Sequence, residues 1–98
     1  MRAELSAQAE DDLERIGDWI ARDDPARALA FVHELRSGCL GLADFPERFA
    51  PVPRYERQGI RHRIHGNFLI FYRVEAKRVV VVHILHGAMD YAPLLFPE

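Results

Sequence analysis

A chain of 98 residues, 49% hydrophobic and 29% charged, carries enough apolar surface for one modest core, so a single domain over residues 1–98 is expected and intrinsic disorder is excluded. No apolar run approaches the ~20 residues of a membrane-spanning helix, and no basic-then-apolar leader opens the sequence, so a cytoplasmic protein without membrane contact is expected. The net charge of −2 hides a division: residues 1–50 hold six Arg against eleven acids (−5), whereas residues 51–98 hold seven Lys and Arg against four acids (+3) and four of the five histidines. A surface that gripped long stretches of phosphate backbone would be far more basic, so direct nucleic-acid binding is not expected.

Arg2–Leu5 is a short candidate strand. Ser6 is a suitable N-cap, and Glu10, Asp11 and Asp12 follow where acids suit the positive end of a helix. Ala9, Leu13, Ile16, Trp19 and Ile20 recur at spacings of three and four, which predicts an amphipathic helix with those residues inward. Asp24 then caps a second helix that has Pro25 at its first position, where the missing amide loses no bond. Its stripe is Ala28, Phe31, Val32, Leu35, Cys39 and Leu42, and Gly38 and Gly41 end it near Leu42. The lone Cys39 can form no internal disulfide and reads as an inert packed thiol. Only Arg22–Asp24 separate the helices, which predicts an antiparallel hairpin.

The segment from Ala43 to Gly59 contains Pro46, Pro51 and Pro53 without a sustained period, and is expected to be a loop anchored by Phe45 and Phe49. Three extended segments follow: Ile60–His65, Phe68–Val74 and Val79–Leu85, joined by Gly66-Asn67 and by the polar group around Glu75. Their β-branched and aromatic content and short connections predict an antiparallel meander. The fold class is therefore α+β in the order β-α-α-β-β-β, with the helical hairpin on one face of a mainly antiparallel sheet. Both alternating sets of the last two strands are largely apolar, yet the hairpin covers one face only. Two covers are open for the other face. One is the chain's own Pro-rich loop and its apolar tail, Leu94–Phe96; the other is a partner protein.

The sequence holds no glycine-rich phosphate loop, no paired-cysteine metal signature and no nucleophile elbow, so no cofactor is expected. His83 and His86 stand three apart, which on a regular strand puts them on opposite faces and makes a poor metal site. Arg61 and Arg63 share a face with His65, and Arg73 lies on the neighbouring strand. They read either as a solvated basic face or as a small cationic patch for an acidic or phosphate-bearing partner. His86 with Asp90 could place an acid–base pair beside that patch.

The ordered set LSAQAEDDLERIGDWIA, PARALAFVHEL, LADFPERFAPV, GIRHRIHGNFLIFYRV, VVVVHIL and the closing HGAMD resembles the RelE/ParE superfamily of type II toxins, and the ParE branch in particular, over nearly the whole chain. The resemblance implies the same β-α-α-β-β-β fold. It also implies a toxin that is neutralised in a hetero-oligomer by an antitoxin whose carboxy-terminal segment wraps it. ParE-type members poison DNA gyrase, whereas RelE-type members cleave messenger RNA on the ribosome. RelE enzymes carry basic residues where Arg61 and Arg63 stand, a catalytic arginine where this chain has Leu69, and further basic residues where it has Gly87, Ala88 and Met89. Leu69 cannot stabilise a phosphorane. His86, Met89 and Asp90 match the ParE closing pattern His-x-x-Arg/Met-Asp.

The resemblance therefore implies a gyrase-binding inhibitor with a ParD-like antitoxin, no catalytic residue and no metal. Target-contact candidates are Arg61, Arg63, Arg73, His86, Met89 and Asp90; antitoxin-contact candidates are Leu69, Phe71, Leu94, Leu95 and Phe96. A ribosome-dependent endoribonuclease and an inactive toxin-like binding module are the alternatives.

Overall fold

A computed structural model describes residues 1–97, so Glu98, the last residue of the tail, lies outside the described residues. Strand β1 (Arg2–Leu5) leads into helices α1 (Ala7–Ala21) and α2 (Pro25–Leu40); strands β2 (Ile60–His65), β3 (Phe68–Val74) and β4 (Arg78–His86) follow, and a short helix α3 (Ala92–Leu95) lies in the tail. Among these residues no helix is long and apolar enough to cross a membrane.

The helix starts follow from local chemistry. Ser6 Oγ accepts from the Ala9 amide at 3.1 Å, and Asp24 Oδ1 accepts from the Arg27 amide at 3.0 Å with Pro25 in the first turn. Ser6 also ties the start of α1 to the sheet, donating from its amide to Val81 O at 2.9 Å and from Oγ to Val82 O at 3.2 Å. The hairpin closes tightly: a Cβ on Gly17 would meet Val32 Cγ2 at 2.8 Å. A bidentate pair, Arg36 to Glu10 at 2.6 and 3.1 Å, spans the two helices. Its guanidinium holds the Glu10 carboxyl below the usual carboxylate range.

The strand order is β1-β4-β3-β2, with β1 parallel to β4 and the other pairs antiparallel. Helix residues Leu13, Ile16, Leu35 and Cys39 pack on Phe68, Ile70, Tyr72, Val79, Val81 and Ile84 to make the main core. Burial there pushes the Cys39 thiol up to about 12, so it stays protonated and inert.

The second face of the sheet is closed by the chain itself. Val52, Phe71 and Leu85 form a smaller core with Tyr55 from the Pro-rich loop and with Tyr91, Leu95 and Phe96 from the tail. The Tyr55 and Phe96 rings stack at 4.0 Å, nearly parallel, and Tyr91 lies 4.9 Å from the Phe71 ring. Toward the other end that face turns ionic: Glu75 accepts from Arg73 Nε and Arg78 Nε, both at 2.7 Å, and Arg78 also pairs with Glu4. Of the two covers open from the sequence, the chain's own loop and tail are the ones seen on this face. Its apolar half is covered by the loop and tail, and the remainder is charged.

Candidate functional site

Strand β4 runs for nine residues and β1 for only four, so β4 outruns its parallel neighbour after Val81. Helix α1 takes over along the exposed edge. Ser6 satisfies Val81 and Val82, and nearly two turns beyond the cap Asp12 receives the Ile84 amide at 2.9 Å. Asp12 is the buried charged side chain of the described residues. Its Oδ2 also lies 2.8 Å from His83 Nδ1, and its Oδ1 accepts from Gln8 Nε2 at 2.9 Å. Both oxygens are thus saturated from inside, which makes the buried carboxylate tolerable.

A bulge makes that arrangement possible. Phe71 stands opposite His83 and Tyr72 opposite Val81, which leaves Val82 without a partner on β3. The alternation along β4 shifts there by one residue. His83 reaches Asp12 on the helix side, and His86 also lines the helix-side groove described next. The extra residue precedes both histidines: His83 stands opposite Phe71 of the second face and His86 opposite Phe68 of the helix face, so their spacing of three keeps the opposite register positions expected from the sequence.

Beyond Asp12 the helix and the sheet diverge and leave a groove of about 310 Å³. Asp12, Arg15, Ile16 and Trp19 of α1 form one wall; Phe68, Ile84, Leu85 and His86 of the sheet, with Met89 from the following turn, form the other. Trp19 is seven residues after Asp12, on the same stripe of the helix. It overhangs the groove instead of entering the core as its periodicity predicts, and is 62% exposed. Met89 is 46% exposed. His86 meets the Phe68 ring edge-on at 5.3 Å, and its Nδ1 accepts from the Ala88 amide at 3.1 Å. Arg15 pairs with Asp11 at 2.8 Å.

The candidate cations lie elsewhere. Arg61 stands opposite Tyr72 and Arg63 opposite Ile70, so both project from the sheet's helix-facing side. Arg61 donates to Phe49 O at 2.7 Å and to Glu47 O at 3.3 Å; Arg63 donates to Gly38 O at 3.0 Å, with its guanidinium 5.1 Å from the centre of the Phe49 ring. Tyr72 donates to Pro46 O at 2.6 Å, and burial raises its phenol above the ordinary range. Three hydrogen bonds from two sheet side chains, Arg61 and Tyr72, thus hold the loop from Pro46 to Phe49, while Arg63 ties the end of α2 and lies against the Phe49 ring. The loop is anchored through its carbonyls and Phe49, while Phe45, expected as an anchor, is 70% exposed. Arg61 and Arg63 are thus each held through Nη1 by backbone carbonyls, and Arg73 is engaged by Glu75 on the opposite face.

Asp90 is exposed and borders a different hollow, beside Tyr55 and Phe96. It does not meet His86 in the groove. Phe71 is fully buried, whereas Leu95 and Phe96 pack on the same internal cover and stay partly exposed. Leu69 is partly buried and Leu94 remains half-exposed. Sequence reading missed Asp12, Trp19 and Arg15 as parts of a site. One signal for Asp12 was present: it lies three residues after Ala9 and four before Ile16, inside the apolar arc of the helix.

The model of the ParE toxin of the type II toxin–antitoxin system parDE matches residues 3–91. The chain belongs to the ParE toxin family. Among solved structures, a chain of the chromosomal ParDE toxin–antitoxin system from P. aeruginosa is 24% identical, with a TM-score of 0.71 over 84% of this chain and 90% of that one. A chain of the RelBE2 toxin–antitoxin complex from Mycobacterium tuberculosis is 25% identical, with a TM-score of 0.60 over 88% of this chain and 99% of that one. No curated protein matches the chain significantly. This ParE-type toxin of a toxin–antitoxin system thus shares the expected β-α-α-β-β-β architecture with both neighbours. The family match takes in all the groove residues, from Asp12 to Met89.

Proposed function

We propose that this ParE-family chain acts by binding DNA gyrase, without catalysis, and is silenced by a ParD-like antitoxin that covers the groove between α1 and the end of β4. The observation that carries this reading is the open apolar groove with Trp19 and Met89 at its mouth, the counterpart of the second sheet face that the chain has already closed for itself. Exposed aromatic and methionine side chains around a hollow are the composition of a protein-binding hot spot. His86 and Met89 border the groove, and with Asp90 and the tail they form the proposed target surface. A partner seated in the groove occludes part of that surface, which accounts for neutralisation by steric means.

The engagement of Arg61 and Arg63 by backbone carbonyls, together with Leu69 on β3, supports binding over RNA cleavage. Stabilising a phosphorane would need cations free to meet it. Induction of the chain alone, with DNA topology and message integrity read in parallel, tests the proposal. Loss of supercoiling with intact messages, relieved by the antitoxin, is the expected result. Codon-phased cuts would establish the RelE-like alternative, and growth without arrest would leave an inactive binding module.

A further inference from the structure

The polar side chains that line the groove are Asp12, Arg15 and His86, and the groups these leave without a partner are mainly donors. Asp12 lines the groove, but Gln8, His83 and Ile84 occupy both of its oxygens. His86 Nδ1 accepts the Ala88 amide, so in the neutral ring the proton sits on Nε2, which has no partner among the described residues. Arg15 is largely exposed and has N–H groups beyond the one facing Asp11. The acids Glu14 and Asp18 border a different hollow, between α1 and α2, so they do not face an occupant of this groove. Ile16, Trp19, Phe68, Ile84 and Met89 supply the apolar surface between these donors.

Resting on the toxin reading above, we propose that the groove recognises an amphipathic protein segment in which one bulky apolar side chain is followed, one helical turn on, by a carboxylate. The apolar side chain fills the hollow beside Trp19 and Met89, and the carboxylate accepts from His86 Nε2 and Arg15. A hollow of about 310 Å³ that is open along one side suits a side chain delivered by a helix better than an enclosed small molecule. Amide or lysine in place of the carboxylate keeps the apolar contact but forfeits the charge-assisted bonds.

Trp19 is the chain's single tryptophan and its emission reports occupancy directly. The test titrates the intact chain with three synthetic helical peptides that share a leucine anchor and differ only in bearing Glu, Gln or Lys four residues later. The Glu peptide is expected to shift Trp19 emission to the blue and to bind about tenfold more tightly than the other two. That preference should shrink to near parity in R15A/H86A, whose two sites are exposed, with R15Q/H86Q as a second variant that keeps side-chain bulk beside Phe68. Equal affinities for the three peptides, or binding that leaves Trp19 emission unmoved, would overturn the proposal. A parallel titration with the antitoxin separates the two levels. Antitoxin binding with Trp19 silent removes the groove chemistry and leaves the toxin pairing intact. Peptide preference without antitoxin binding keeps the groove chemistry and removes the pairing.

Discussion

The β2 edge and the seam between α1 and β4 exchange roles when the chain folds. In the sequence, Arg61 and Arg63 look like a patch offered to a partner, and the acids of α1 look like ordinary helix-start residues. In the structure the arginines hold the loop from Glu47 to Phe49 and the end of α2, while the seam opens into an apolar groove. The difference lies in the backbone nearby. The loop from Pro46 to Phe49 has carbonyls with no strand or helix to receive them, and a guanidinium with five donors is the natural partner. The seam has the opposite supply, because Ser6 and Asp12 already satisfy the free edge of β4. Its remaining side chains are left for something outside the chain.

The largest expected effect sharpens the first half of that contrast. R61E/R63E should cost roughly 3–6 kcal/mol in urea unfolding, because two charge-assisted anchors become carboxylates facing carbonyls. A double variant as stable as the parent would return both residues to the surface. Next comes D12A, which orphans the Ile84 amide and His83 Nδ1. A loss of about 2–4 kcal/mol is expected from the same measurement. E10Q should cost less, under ~1 kcal/mol, because its pair with Arg36 is about half exposed and screened by solvent. The sign is set by the lowered Glu10 pKa: the pair's contribution is fully present above the usual carboxylate range and disappears as pH falls through the folded-state value. Stability curves of E10Q and the parent should therefore differ at neutral pH and converge in acid. The smallest effect on stability belongs to W19A, within ~0.5 kcal/mol, since the ring lies outside the core. Its antitoxin affinity, measured by calorimetry, should nonetheless fall at least about tenfold.

The parts of this molecule legible in its sequence are those written in local chemistry. Ser6 and Asp24 cap the helices as their neighbours require, Gly66-Asn67 turns the β2–β3 hairpin with Gly66 at φ +60°, and strand limits fall within a residue of the hydrophobic runs. What stayed hidden depends on distant partners. The run Val79–Val82 gives no sign of where an extra residue enters, so the bulge and the face of His83 could not be read. Trp19 fits the apolar period of α1, but the sheet does not extend beneath it. Phe45 and Phe49 are alike in sequence, and only the paths of Arg61 and Arg63 make Phe49 the anchor. The tail's apolar run was legible as needing cover, though not as the cover of the chain's own second face.

Amide hydrogen exchange of the chain, free and with its antitoxin, addresses the groove most directly. The account predicts new protection in the turn Gly87–Met89 and along α1 around Arg15 and Trp19, with β2 unchanged. Protection gained instead along Ile60–His65, with the turn and α1 exchanging as in the free chain, would contradict it.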